Sequence, residues 1–126
     1  MELHLTVLPD AMAVCRAPAG SELPDLEAQP FFALTRTPEE ISLVIRETDT
    51  PAGWRVHGGW RCLKVAGPLD FNLTGVLASL VAPLAQAEIS VFAISTYDTD
   101  YLLVPAGELP QALRRLSDWG HRVAGE

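Results

Sequence analysis

The chain has 126 residues, 48% hydrophobic and 20% charged, a composition that excludes disordered, collagen-like and coiled-coil classes and suits one compact domain or two small halves sharing a core. Nine Lys and Arg against 16 Asp and Glu give a net charge of -7, which disfavours the concentrated positive charge of a nucleic-acid site. No apolar run approaches the ~20 residues of a membrane span, and Met1-Glu2-Leu3-His4 lacks a signal-peptide pattern, so a cytoplasmic protein without nucleic-acid or membrane partners is expected.

From the N-terminus, Glu2 to Leu8 alternates apolar and polar, Pro9-Asp10 interrupts, and Met12 to Arg16 resumes, which predicts a hairpin. Ala17 to Pro30 carries Pro18, Gly20, Pro24 and Pro30 and predicts loop with at most one turn at Leu23 to Leu26; Phe31 to Thr35 reads as strand. Thr37-Pro38-Glu39-Glu40 has helix-start chemistry, yet Ile41 to Ile45 is β-branched and alternating, so one helical turn should feed a strand. Thr48 to Gly53 is a polar loop. Gly58-Gly59, permissive of unusual backbone angles, marks a boundary between halves, the second starting near Trp60.

The second half predicts strand Arg61 to Ala66, helix Thr74 to Ala87, strand Ile89 to Thr96, strand Asp100 to Val104, helix Glu108 to Asp118 and strand His121 to Val123. Val76, Leu77, Leu80, Val81 and Leu84 form one apolar helical face, bent by Pro83; Leu109, Leu113 and Leu116 form another, closed by Trp119-Gly120. This order is the βαββαβ, ferredoxin-like arrangement of the α+β class, a sheet with both helices on one face. Cys15 and Cys62 lie in apolar strands without C-x-x-C spacing and read as buried small hydrophobes; no metal and no cofactor is expected.

The most informative stretch is Gly67-Pro68-Leu69-Asp70-Phe71-Asn72-Leu73-Thr74-Gly75-Val76, together with Ser95-Thr96-Tyr97-Asp98-Thr99-Asp100. Backbone N–H groups of Leu73, Thr74, Gly75 and Val76 would point out of the helix start, where the macrodipole favours an anion; an Asn72 or Thr74 side chain capping the helix is the plainer alternative. The acidic hairpin sets carboxylates beside those donors, a pairing that suits a ligand carrying both carboxylate and ammonium, as a free amino acid does. Asp98 and Asp100 are also ordinary turn residues, and Asp70 either meets an ammonium or supports the helix start. Phe71 and Tyr97 suit an apolar wall, while Ser95 and Thr96 are potential donors. Catalysis finds no support: His4, His57 and His121 are isolated and read as surface or strand residues, and no hydrolase, zincin, Walker or dinucleotide motif occurs.

Gly67 to Ala78, Ile89 to Tyr97 and Thr99 to Pro105 carry a resemblance to ACT domains, the small-molecule-binding modules of amino-acid metabolism, specifically tandem-ACT proteins of the aspartate kinase regulatory and eukaryotic arginine-sensor type. The resemblance is strong over residues 60–124 and weaker over 1–50. It implies a complete ACT domain at 59–126 preceded by a reduced, β-rich ACT-like half at 1–58. It also implies a non-enzymatic regulatory role by ligand sensing, with the amino acid held at the loop after the first strand of the second half. Asp100 stands at the strand-start position that contacts the ligand's cationic side in arginine-sensing members. The acidic surroundings lean toward a cationic amino acid such as arginine or lysine. A homodimer is expected, since small sheets have edges to cover. The competing reading is a dimerisation or protein-interaction module whose pocket is filled by Phe71 and Tyr97.

Overall fold

The computed structural model describes Met1–Gly125, with strands β1 (His4–Pro18), β2 (Ala33–Arg36), β3 (Glu40–Arg46), β4 (Arg55–Val65), β5 (Phe92–Ser95), β6 (Asp100–Pro105) and β7 (Arg122–Gly125) and helices α1 (Val76–Gln86) and α2 (Leu109–Asp118). Single 3-10 turns occupy Glu47–Asp49 and Ala106–Glu108. From β4 onward the order is the expected βαββαβ. The chain resolves into two compact units, Met1–Pro9 with Arg61–Glu126, and Asp10–Trp60; β1 and β4 each begin in one and end in the other.

In the larger unit the strand order is β7-β1-β4-β6-β5. A bare split-βαβ pattern would set its first and last strands side by side. Here the chain's own first strand lies between them. His4 to Val7 pairs in parallel with Arg122 to Gly125, and the His4 carbonyl accepts the Ala66 N–H at 2.7 Å. Period-2 alternation aims Leu3, Leu5 and Val7, Leu63 and Val65, and Leu102 and Val104 at the helices, where Val76, Leu80, Leu84, Leu109, Ala112 and Leu116 complete the core. Of the predicted faces, Val76, Leu80, Leu84, Leu109 and Leu116 are buried in this core, Leu77 and Leu113 are partly covered at its margins, and Val81 is half-buried and does not belong to it. Both helices stop in a left-handed residue. The His121 N–H reaches the Leu116 carbonyl past Gly120 at φ +107°, and the Ile89 N–H reaches the Leu84 carbonyl past Glu88 at φ +59°.

In the smaller unit β1 pairs antiparallel with β3, from Met12 opposite Arg46 to Pro18 opposite Glu40, and β2 pairs with the outer edge of β3. Ala13, Cys15, Leu43 and Ile45 form its core under Leu26, Leu34 and Trp54. Asp49 accepts hydrogen bonds from Gln29 Nε2 at 3.0 Å and Arg46 Nε at 2.8 Å, tying the Pro-rich connection to β3; the Gln29 bond, then the Arg46 charge, hold its carboxyl below the usual range.

Several local expectations are corrected. The predicted N-terminal hairpin is one strand: Pro9 falls between the β7 register, which ends at Val7, and the β3 register, which begins at Met12, so its missing N–H removes no ladder bond there. Thr37 does not open a helical turn. Its Oγ1 accepts the N–H groups of Glu39 and Glu40, each at 3.1 Å, and its own N–H meets the Glu40 carbonyl at 2.9 Å, a tight turn between β2 and β3. Gly58-Gly59, expected to mark a boundary between halves, lies inside β4 just before Trp60, the last residue of the smaller unit; Gly59 takes φ +82° and donates its N–H to Glu47 Oε1 at 2.6 Å. β5 is also shorter than predicted, beginning at Phe92, because the α1 stop consumes Ala87 to Ile89.

Both cysteines are free and buried, and burial alone pushes the Cys62 thiol up to about 12.

Three outcomes follow from this packing. Leu80→Ala, at a fully buried site, should cost about 2–5 kcal/mol in urea unfolding. Pro9→Thr should change stability by no more than about 0.5 kcal/mol, since no ladder bond depends on that nitrogen. Cys62 should resist alkylation at pH 8 in the native protein and react on unfolding. The unfolded thiol ionises near its ordinary 9.0 and the folded one near 12, so the stability tied to it is full below pH 9 and lost as pH rises toward 12. Comparing alkaline unfolding with Cys62→Ala measures that share.

Candidate functional site

The β5–β6 hairpin places opposing pairs in register, ending with Ser95 across from Asp100. Asp100 has the parity of Leu102 and Val104, so its side chain stands on the helix-covered face, just beyond the apolar rows. Ser95 Oγ donates to Asp100 Oδ1 at 2.6 Å, which orients that carboxylate. The connecting turn is closed by the Thr96 N–H on the Thr99 carbonyl at 2.8 Å, with Thr96 Oγ1 reinforcing the same carbonyl at 3.0 Å.

This turn is fastened to the loop after β4. Buried Thr99 donates its hydroxyl to the Val65 carbonyl at 2.7 Å, and the Leu69 N–H reaches the Asp98 carbonyl at 2.7 Å. A side chain at Gly67 would have its Cβ 3.0 Å from both the Asp98 carbonyl oxygen and Thr99 Cβ, so any larger residue would require the turn to give way at this approach. The loop then shapes itself: Asp70 Oδ1 accepts the Asn72 N–H at 2.8 Å and the Asp70 carbonyl accepts the Leu73 N–H at 2.9 Å. Asp70 thus forms a local turn in addition to lining the cavity.

Gly75 precedes α1 in the left-handed region, φ +80°, and no side chain caps the helix. The first intrahelical bond runs from the Ser79 N–H to the Gly75 carbonyl at 2.9 Å. Asn72 and Thr74 therefore do not cap the helix, and they do not line the cavity that opens at its start.

That cavity, about 330 Å³, is lined by Asp70, Phe71, Leu73, Gly75, Val76, Ser95, Thr96, Tyr97, Asp98 and Asp100 from the sequence-derived set. It adds Leu69, Leu77 and Thr99. A signal for Leu77 was present, one turn into an amphipathic helix beside the loop; Thr99 had one too, flanked by Asp98 and Asp100. The lining holds three carboxylates and no lysine or arginine. Phe71 and Tyr97 meet edge to face with centroids 4.7 Å apart, and at 70% and 79% exposed they stand at the rim without filling the space.

Among the described residues no group of three His, Cys, Asp or Glu could hold a metal ion. No helix of the described residues is long and apolar enough to cross a membrane. His4 and His57 are exposed, but His121 is buried, contrary to its reading as a surface or strand residue.

Comparison with known proteins places these features in a family. The ACT domain model matches residues 55–118. The human cytosolic arginine sensor for mTORC1 subunit 1 is 33% identical over 108 residues, 77% of this chain and 33% of the sensor. The chain spans between 30% and 61% of the length of the animal relatives it matches. A crystal structure of an Agrobacterium tumefaciens protein aligns with TM-score 0.92 at 32% identity, covering 100% of this chain and 95% of that one. The regulatory subunit of aspartate kinase from Thermus thermophilus, in its ligand-free form, shares the fold, with TM-score 0.66 at 10% identity over 91% of this chain and 96% of that one. With its βαββαβ order, helix-covered sheet and family-model match, the chain belongs to the ACT domain family.

Proposed function

We propose that this protein is an amino-acid sensor that regulates rather than catalyses, binding a free cationic amino acid in the cavity between the Leu69–Leu77 loop and helix start and the Ser95–Asp100 turn. The observation that carries the reading is the uncapped start of α1 opening into a cavity lined by carboxylates. The ligand's α-carboxylate accepts from the main-chain N–H groups at Val76 and Leu77, where the helix dipole adds partial positive charge. The α-ammonium and the side-chain cation are shared between Asp98 and Asp100, the latter oriented by Ser95. Leu69 and Leu77 cover the aliphatic part. Gly75, lacking a side chain, lets the ligand approach the main chain.

A net excess of negative charge around the site favours lysine or arginine over aspartate or glutamate, because a second carboxylate would meet Asp98 and Asp100 with no cation to offset it. The human relative's name as an arginine sensor supports the same class. The reading includes a cytoplasmic, homodimeric protein, with residues 59–126 as the complete ACT domain and 1–58 as its reduced companion. The reading as an interaction module with a filled pocket is disfavoured by the exposure of Phe71 and Tyr97.

Thermal-shift measurement against the twenty amino acids tests the proposal. Lysine or arginine at 100 times its Kd should add about 2.7 kcal/mol, a rise of a few degrees in Tm, while aspartate and glutamate leave Tm unchanged. Asp100→Asn, which keeps size and the Ser95 partner, should weaken binding about tenfold or more. A flat panel would replace the sensor with the interaction module.

A further inference from the structure

His121 and Thr99 are the buried polar side chains among the described residues. Thr99 belongs to the candidate site, whereas His121 lies after the α2 stop, outside the cavity lining. The ring joins three parts of the larger unit. Nδ1 lies 3.0 Å from the Leu3 backbone nitrogen, and Nε2 lies 2.8 Å from Ser79 Oγ and 3.2 Å from the Ser79 carbonyl oxygen. A backbone N–H can only donate, so Nδ1 is the unprotonated nitrogen and Nε2 carries the hydrogen.

The hydrogen on Nε2 is shared between two Ser79 acceptors, Oγ at 2.8 Å and the carbonyl at 3.2 Å, and the carbonyl is the one that lacks another donor. Ser79 sits four residues before Pro83, which has no N–H, so the Ser79 carbonyl has lost its intrahelical donor. The imidazole supplies a replacement from outside the helix. Ser79 in turn donates its own N–H to the Gly75 carbonyl, and Gly75 lines the cavity. A continuous polar path thus runs from Leu3, at the entry to β1, through His121 and Ser79 to the residue that opens α1.

We propose that His121 is a positioning residue for the cavity, holding the first turn of α1 at a fixed place relative to β1 so that its N–H groups remain aimed at a ligand carboxylate. The proposal rests on the amino-acid reading of the cavity for its consequence in binding, and on the hydrogen bonds alone for its consequence in the free protein. Pro83 and His121 act together: the proline frees the carbonyl, and the histidine uses it to anchor the helix. Without the ring, the helix start is held to the sheet by apolar contacts, which do not fix rotation about the helix axis as directional bonds do.

Residue-resolved amide hydrogen exchange on His121→Leu, His121→Gln and Ser79→Ala tests this first without ligand. His121→Leu should speed exchange at Leu3 and Ser79 about tenfold or more relative to Leu102, the scale of one lost buried hydrogen bond. His121→Gln, whose carbonyl accepts and whose amide donates, should restore most of the protection. Ser79→Ala keeps the carbonyl bond and should leave Leu3 close to wild type. Lysine or arginine affinity, measured by calorimetry, should fall in His121→Leu and recover in His121→Gln. Uniform acceleration of every amide in His121→Leu, or a His121→Gln protein no better than His121→Leu, overturns the proposal. If neither amino acid binds the wild type, the amino-acid reading fails while the exchange pattern still decides the role of His121.

Discussion

Strand β1 is the element through which the larger unit's sheet is joined, because β4 on one side and β7 on the other both pair with it. The C-terminal βαββαβ order carries its own helices and most of its core, but its last strand has no place beside its first. Leu3, Leu5 and Val7 enter the core from this inserted strand, and the Arg122 N–H reaches the Leu3 carbonyl at 2.9 Å. A region near the start of the chain and one near its end are thereby made neighbours, across a sequence separation of more than a hundred residues. Such non-local pairing incurs loop-closure entropy before contacts offset it. The Pro-rich connection in the smaller unit, tied down by Asp49, shortens the freedom of the intervening chain.

The cavity is a consequence of how the loop after β4 is held. Thr99 and Leu69 spend their polar groups joining turn to loop, and Asp70 spends its carboxylate and its carbonyl curving the chain toward α1. The residue that would cap the helix is a left-handed glycine with no side chain to offer. A glycine at that position forgoes only a few tenths of a kcal/mol relative to a Ser, Thr, Asp or Asn cap, so leaving the donors open costs little. The arrangement concentrates rigidity in the frame and leaves unsatisfied donors at the opening, as expected of a site in which binding completes the hydrogen bonding.

The elements read correctly from sequence are those whose pattern and packing agree. Both helices carry apolar residues on the side that meets the sheet, and Gly120 stops α2 in the predicted left-handed conformation. The errors occur where one residue's preference admits two structures. Pro9 breaks a strand only if a neighbour needs its N–H, and on one edge of β1 the neighbouring strand changes from β7 to β3 at that point. Thr37 offers its hydroxyl to two amides in a hairpin turn much as it would at a helix start, so the following β-branched run decides the outcome. At the candidate site, loop and turn were legible because Gly67, Gly75 and the paired aspartates are local features. The burial of His121 was not, since its partners Leu3 and Ser79 are distant in sequence.

Charge explains why main chain and side chain divide the work at the cavity. The cavity lining carries Asp70, Asp98 and Asp100 and no lysine or arginine, so the lining itself offers an entering carboxylate attraction only from backbone dipoles. Those dipoles are directional, and their value depends on where the first turn of α1 points. A lysine or arginine side chain would attract an anion over a wider range of positions, by charge more than by geometry. A site that relies on amide groups needs a helix held in register, which gives a physical reason for a buried imidazole on the Ser79 carbonyl. Under the proposed function, recognition would then depend on simultaneous fit: an anion alone would be repelled by the aspartates, a cation alone would gain nothing from the helix start, and a zwitterion with an added positive charge would satisfy both.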